Sequence, residues 1–139
     1  MGNHHMILNV HSTRRNEFID ITGDIQQLIS RGEPVFHGYC LLFVLHTTAG
    51  ITINEAADPS VTEDIQMMLN RLAPREPQYR HQEGNSDAHI KSTLVGVSQY
   101  IPIEDSRLLL GTWQGIFFCE FDGPRNRKVA VQIGRNSSA

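Results

Sequence analysis

The segment YCLLFVLH, residues 39–46, decides the fold class of this chain. Its unbroken apolar run from Cys40 to Leu45 is too short to span a membrane. A run of this length is typical of a strand with both faces covered. His46 follows the run, so the strand would carry an imidazole to its end, where a rigid element can position a chemical group. The segment therefore predicts a buried strand with both faces covered.

Shorter β-patterned segments lie on both sides of this strand, and helical patterns separate them. The other predicted strands are 6–10, 17–21, 50–54, 97–103, 116–121 and 128–133. Helices are predicted over 22–32, 58–72 and 86–96, because each segment has apolar residues at helical spacing between start and stop signals. Asp58 is the expected N-cap of the second helix, with Pro59 at its first position. This order predicts an α+β fold with mostly antiparallel strands.

Length and charge restrict the class of protein further. The 139 residues predict one domain over 1–139, with residues 1–5 and 135–139 flexible. A formal charge of −3 argues against nucleic-acid binding, which needs a basic face. The small basic cluster of Arg125, Arg127, Lys128 and Arg135 suits a single phosphorylated small molecule instead.

The sequence also indicates a compartment. It has no apolar segment of membrane-spanning length and no secretory signal pattern, so we expect a cytoplasmic protein with no membrane partner. Cys40 and Cys119 lie inside apolar runs and are expected to be reduced and buried.

The segment HQEGNSDAH, residues 81–89, concentrates imidazole, carboxylate and carboxamide groups around Gly84. If the chain turns at this glycine, His81 and His89 approach one another, and His46 could supply a third nitrogen. Three imidazoles with an open position form a known zinc or transition-metal site. A divalent metal, zinc or magnesium, is thus a candidate cofactor, and no organic cofactor is expected. The alternative for His46 is a partly buried histidine satisfied by a neighbouring hydroxyl or carbonyl.

Two carboxylates are candidates for proton transfer. Glu55 follows the strand 50–54 beside Asn54, where it could act as a general base or fix an imidazole tautomer. Its alternative is a solvated carboxylate in a turn. Glu83 lies within the histidine-rich segment itself.

Two further motifs have both a functional and a structural interpretation. In GTWQ, residues 111–114, Trp113 could stack on a flat heterocycle while Gln114 binds its edge; the alternative is a core or interface anchor. DGPR, residues 122–125, has the composition of a hairpin connection. Arg125 would project from it toward a phosphate or carboxylate, or form a surface ion pair.

Together these motifs resemble those of the YjbQ family, also called the secondary thiamine-phosphate synthase family. The matching stretches are 46–49, 54–55 with 58–59, 81–89, 111–114 and 122–125, in the same order and at the same separations. The resemblance extends from the first strand to Gly134. Residues 98–116 are similar to the family signature, except that Ser106 stands in a turn where glycine is usual.

The resemblance implies an α+β fold, a seven-stranded two-sheet sandwich with two or three helices. It also implies a homotrimer whose sheets pack around a threefold axis. The implied activity is a weak thiamine-phosphate synthase, which joins a pyrimidine methyl pyrophosphate to a thiazole phosphate and releases pyrophosphate. Pyrophosphate-bound magnesium prefers carboxylate ligands, whereas this cluster is rich in imidazole. The transferase activity could therefore be secondary to another reaction.

The sequence thus predicts an enzyme for a small phosphorylated metabolite that assembles as a homotrimer. The expected catalytic residues are His46, Glu55, Glu83 and His89. The expected substrate-binding residues are Thr47, Thr48, Asn54, Asn85, Trp113, Gln114 and Arg125. The expected metal ligands are His46, His81 and His89. Two alternatives remain: a non-catalytic trimer that binds a metal or phospholigand, and a histidine hydrogen-bond network at the trimer axis.

Overall fold

A computed structural model describes residues 5–136, which form two antiparallel sheets and three helices. The first sheet has the order β1-β8-β3-β5-β6 and the second the order β2-β7-β4. The strands are β1 (Met6–His11), β2 (Glu17–Asp20), β3 (His37–Val44), β4 (Ala49–Glu55), β5 (Ser98–Glu104), β6 (Arg107–Leu108), β7 (Gln114–Glu120) and β8 (Asn126–Arg135). The helices are α1 (Thr22–Arg31), α2 (Pro59–Leu72) and α3 (Ser86–Val95).

The predicted α+β class with two antiparallel sheets is confirmed. The eighth strand, β6, has two residues and pairs with β5, so it is too short to leave a periodic pattern.

Asp105 and Ser106 connect β5 to β6, and both have positive φ angles. Glycine would adopt this conformation without strain. The Ser106 hydroxyl instead accepts a hydrogen bond from the Val35 amide at 2.9 Å, a bond that glycine could not make.

The main core lies between the two sheets. Cys40, Leu42 and Val44 point inward from β3 and are buried against Ile51 and Phe118 of the second sheet. Alternation of side chains along each strand places these residues on one face. Helix α1 completes this core with Ile25 and Ile29.

The second sheet is covered on its other face by helices. Phe117, Cys119 and Phe121 form a second apolar cluster with Ala88 of α3, and Leu69 of α2 packs against it. As predicted, both cysteines are buried, and both are free. Burial raises the pKa of the Cys40 thiol to about 12, so it behaves as a small apolar residue.

The outer face of the first sheet corrects the expectation that the central strand is covered on both sides. Leu41, Phe43 and Leu45 follow one another on this face, and Phe43 and Leu45 are 44% and 47% exposed. Tyr39 stacks on Tyr100 beside them, with ring centroids 4.7 Å apart. In one chain, an apolar strip along β3 is therefore exposed to solvent.

The connection at 122–125 is not the expected hairpin. Strand β7 pairs with β2 and β4, whereas β8 pairs with β1 and β3. The DGPR segment therefore carries the chain from one sheet to the other. This crossing is important for the site, because it places the start of β8 beside the end of β7 without backbone pairing between them.

The ends of the chain are described only in part. Arg135 is the last residue of β8 and lies opposite Gly38, so it is held in the sheet. Residues 1–4 and 137–139, which were expected to be flexible, lie outside the described residues. Among residues 5–136, no helix is long and apolar enough to cross a membrane.

Candidate functional site

A cavity of about 390 Å³ collects most of the predicted site residues. It lies where the segment after β3, the start of α3 and the crossing between the sheets meet. We call it the histidine pocket; its lining is Leu45, His46, Thr47, Thr48, His81, Glu83, Asn85, His89, Asp122, Arg125 and Arg127. The segments 46–48, 81–89 and 122–125, which are distant in sequence, thus converge on one site.

Four of the predicted site residues do not line the histidine pocket. In the register of β4 with β7, Ala49 faces Glu120 near the histidine pocket, whereas Glu55 faces Gln114. Strand β4 has seven residues, so its two ends are about 20 Å apart. Asn54, Glu55, Trp113 and Gln114 therefore form a separate group at the far end.

The polar groups of this second group serve local structure. Glu55 accepts a hydrogen bond from the Ala57 amide at 2.9 Å, and Gln114 accepts one from the Gly111 amide at 2.7 Å. Trp113 is 63% exposed. Within one chain, these residues do not contribute to the histidine pocket.

His46 is held by the main chain of the neighbouring strand. Its Nε2 accepts a hydrogen bond from the Lys128 amide at 2.7 Å. Partial burial lowers the pKa of His46, and the positive charge of Arg127 lowers it further. Both effects favour the neutral imidazole.

His81 and His89 meet as the sequence predicts. Gly84, with a φ of 76°, turns the chain between them. Their ring centroids are 5.2 Å apart, and the rings are perpendicular. The Glu83 carboxylate lies 3.9 Å from His81 Nε2, which is too long for a hydrogen bond.

The donor set does not fit the expected three-imidazole metal centre. Among residues 5–136, no group of three or more His, Cys, Asp or Glu side chains is arranged to hold a metal ion. The acceptor nitrogen of His46 is already bonded to the Lys128 amide, and a neutral imidazole has a proton on its other nitrogen. We therefore derive no chemical step through a metal.

The Asn85 side chain forms part of the pocket wall. It precedes α3 at the N-cap position, yet its side chain makes no capping bond. Its Nδ2 instead donates to the Asp122 carboxylate at 2.8 Å, which leaves Oδ1 buried and without a hydrogen-bond partner among the described residues. Asparagine at this position usually binds the helix amides, so its side chain has been diverted toward the pocket wall.

Arg125 is fixed against Asp122. Its Nε donates to the Asp122 carbonyl at 2.8 Å, and one Nη2 hydrogen to the carboxylate at 3.0 Å. A guanidinium has more N–H groups than these two bonds use. The Arg125 side chain is half exposed at the rim of the pocket, so its remaining N–H groups are accessible to a ligand. The surface ion pair and the ligand-binding interpretation are therefore compatible.

The basic cluster predicted at the end of the chain is divided by the fold. Arg127 points inward and is 2% exposed, and Lys128 is on the opposite, outward face of β8. Arg135, at the other end of β8, donates to the Glu33 carbonyl at 2.9 Å. Arg125 and Arg127 both line the pocket, but of these four cations only Arg125 is exposed there. The expectation of a basic cluster is therefore wrong.

Sequence reasoning missed the pair beneath the pocket. Arg127 binds the fully buried Glu120 through Nε at 2.8 Å and through Nη2. Arg127 also donates to Thr48 Oγ1 at 2.9 Å, and Glu120 accepts from Ser12 at 2.7 Å and from the Asp122 amide at 2.9 Å. Hydrogen bonds from Arg127 and Ser12 outweigh burial and hold the pKa of Glu120 low. The available signal was a glutamate in the apolar run of β7.

A larger, mostly apolar groove adjoins the pocket. Its volume is about 790 Å³. We call it the apolar groove; its lining is Phe43, Val44, Leu45, His46, Thr47, His89, Ser92, Thr93, Gly96 and Val97. Both spaces are lined by Leu45, His46, Thr47 and His89. A ligand with a polar and an apolar part would place its junction at these residues.

Comparisons with known proteins agree with this fold. A solved protein of the YjbQ/UPF0047 family from Clostridium acetobutylicum has a TM-score of 0.88 and 50% sequence identity, covering 92% of this chain and 98% of that one. A YbjQ-like protein of unknown function from Sulfolobus solfataricus has a TM-score of 0.90 at 31% identity, covering 97% and 99% of the two chains.

Relatives in sequence give the same result. A UPF0047 protein of Methanocaldococcus jannaschii is 56% identical over 124 residues, 89% of each chain. The UPF0047 protein YugU of Bacillus subtilis is 46% identical over 127 residues, which are 91% of this chain and 96% of the relative. The family model described as UPF0047 protein YjbQ-like matches residues 6–136. The chain therefore belongs to the UPF0047, or YjbQ-like, family.

Proposed function

We propose that this protein is an enzyme that acts on a small phosphorylated metabolite in the histidine pocket, with weak thiamine-phosphate synthase activity among its reactions. The observation that supports this most is the meeting of Arg125 with His81 and His89 in one cavity. A guanidinium suits a phosphate oxygen, and an imidazole can transfer a proton near neutral pH. A cytoplasmic location is part of the same proposal.

Each group has a defined task in the proposed reaction. The bond from the pyrimidine methylene carbon to the pyrophosphate oxygen breaks, and pyrophosphate leaves with the electron pair. The thiazole nitrogen supplies the electron pair of the new carbon–nitrogen bond. The free N–H groups of Arg125 would stabilise the charge that develops on the leaving group, while protonated His89 would donate a proton to it. The part of the apolar groove formed by His89, Thr93 and Val97, away from the Phe43 and Leu45 side chains, would hold the organic part of a substrate.

The proposed function predicts that His89→Ala forms thiamine phosphate about 100-fold more slowly than wild type, the usual scale for loss of a proton-transfer group. The measurement uses purified proteins from one preparation route, with metal content recorded. His37→Ala is the matched control, because His37 is exposed at the far end of β3. Equal rates in wild type and His89→Ala would contradict the proposal. Inorganic phosphate that raises the melting temperature without any turnover would support the non-catalytic binding protein instead.

The homotrimer is also proposed, on the basis of the apolar strip Leu41, Phe43 and Leu45. No helix of the described residues covers this face, and Tyr100 beside it is also exposed. Exposed contiguous apolar patches on a soluble fold mark interaction surfaces. A closed cyclic assembly would cover the strip on every copy.

Phe43→Glu is therefore expected to convert the assembly to monomers, because three buried carboxylates would face one another or apolar side chains. Mass measurement by light scattering tests this. Leu72→Glu is the control, since Leu72 is exposed on α2, away from the sheet. A wild-type mass of one chain, or an unchanged assembly in Phe43→Glu, would refute this interface.

A further inference from the structure

We propose that His46 is held as the neutral tautomer with its proton on Nδ1, and that it donates a hydrogen bond into the histidine pocket instead of accepting a proton. Proton transfer then falls to His89. The tautomer follows from the geometry of this chain alone, whereas its use toward a phosphate oxygen rests on the proposed function.

The main-chain bond to His46 determines where its proton lies. The Lys128 amide is 2.7 Å from Nε2. An amide N–H can only donate, so Nε2 must present its lone pair. A neutral imidazole has one proton, which is then on Nδ1. Protonation of Nε2 would set two donors against each other and leave the Lys128 amide without its acceptor.

The other ring nitrogen of His46, Nδ1, would be the donor to a ligand. The His46 ring lines both the histidine pocket and the apolar groove, and Nδ1 has no hydrogen-bond partner among the described residues. A donor at this junction would bind a ligand oxygen where the polar and apolar parts of the ligand join. This hydrogen bond would need no positive charge on the His46 ring, so His46 could donate it as a neutral imidazole.

His89 is in a different situation. No amide of the described residues binds its ring, which instead packs edge to face with His81 at 5.2 Å. No main-chain hydrogen bond of the described residues therefore fixes a tautomer of His89. The two histidines that line both spaces are thus held differently: the main chain fixes His46 as a donor, whereas the His89 ring contacts His81 and has no main-chain bond among the described residues.

The tautomer can be measured directly. Protein labelled with ¹⁵N-histidine is studied by two-bond ¹H–¹⁵N correlation near pH 7.5, with the His46 signals assigned by their loss in His46→Asn. We expect the pattern of a neutral ring protonated at Nδ1. A ring protonated at Nε2, or an imidazolium at this pH, overturns the inference, and neither result depends on a substrate.

Binding of inorganic phosphate tests the donor role. His46→Asn keeps an N–H donor near the position of Nδ1, and His46→Leu removes it. We expect about tenfold weaker phosphate binding in His46→Leu, the loss for one hydrogen bond to a charged group, and a clearly smaller loss in His46→Asn. Equal losses in both variants overturn the donor role. If wild type shows the Nδ1–H tautomer and binds no phosphate, the tautomer assignment holds and the proposed phosphate function fails.

Discussion

Glu120→Ala is expected to lower the free energy of unfolding by about 3–5 kcal/mol, the cost of leaving one member of a buried ion pair without its partner. Glu120 is fully buried, and Arg127 is 2% exposed. The pair joins β7 to β8 at the crossing between the sheets, where no backbone bonds link these strands. Urea unfolding of wild type and variant at pH 7 measures the loss.

A second variant separates the lost pairing from the lost packing. In Glu120→Leu with Arg127→Met, both charges are replaced by apolar groups of similar size, a change that is often near neutral for a buried pair. Recovery should be incomplete here, because Ser12 and Thr48 lose partners as well. If the double variant is as unstable as Glu120→Ala, the buried charge is not the cause.

The same pair predicts a dependence on pH. Burial raises the pKa of Glu120, but the hydrogen bonds from Arg127 and Ser12 lower it more, so the net pKa is low. Folding therefore stabilises the ionised form of Glu120. Its contribution is thus present above the ordinary carboxyl pKa of about 4.3 and is lost as the pH falls through the lower value in the folded state. The difference in stability between wild type and Glu120→Ala should therefore narrow in acid. A difference that is constant from pH 7 to pH 3 would contradict the assignment.

The local part of the site could be predicted from sequence. His81 and His89 are separated by a short polar segment around Gly84, so a turn suffices to bring them together. His46 follows a strongly apolar strand, which made its position at a strand end predictable. Helix α2 likewise begins as expected, with Asp58 accepting from the Ser60 amide at 3.0 Å.

The remainder depends on pairings that no local pattern encodes. Asn54 and Glu55 belong to the same strand as Ala49, but only the strand register with β7 reveals that they lie far from the pocket. Glu120 lies in a β-patterned segment and Arg127 directly precedes one, but their pairing depends on a chain crossing that resembles a hairpin in composition. The acceptor role of His46 Nε2 depends on an amide of β8, 82 residues away.

Asp87→Ala is expected to lower the free energy of unfolding by about 3 kcal/mol or more, because two cations lose a buried carboxylate. Arg15 binds both oxygens of Asp87, at 2.9 and 3.1 Å. Lys91, 1% exposed, lies 3.9 Å from the same carboxylate and donates to Asn70 and Asn16. Asp87 is also in the first turn of α3, where negative charge is favourable.

Lys91→Met is the matched control. It removes the buried cation but leaves Asp87 bound to Arg15, so no buried charge loses its only partner. Burial lowers the pKa of Lys91, although the nearby carboxylate of Asp87 opposes this shift. The cost of burying the Lys91 charge therefore offsets part of the stability that its contacts provide. We expect Lys91→Met to lower the free energy of unfolding by about 1 kcal/mol, near the contribution of an ordinary hydrogen bond. Similar losses in Asp87→Ala and Lys91→Met would show that the carboxylate does not anchor the network.

The Asp87 variant also tests how α3 positions the pocket. Asn85 and His89 lie on either side of Asp87 at the start of this helix, so release of Arg15 should disturb both. Burial raises the pKa of Asp87, but the bonds from Arg15 and the charge of Lys91 lower it more. The carboxylate therefore stabilises the fold above its ordinary pKa and ceases to do so as the pH falls through its lower value in the folded state. We expect Asp87→Ala to weaken phosphate binding at pH 7 while Lys91→Met retains it, because only the first change frees the helix start that carries Asn85 and His89.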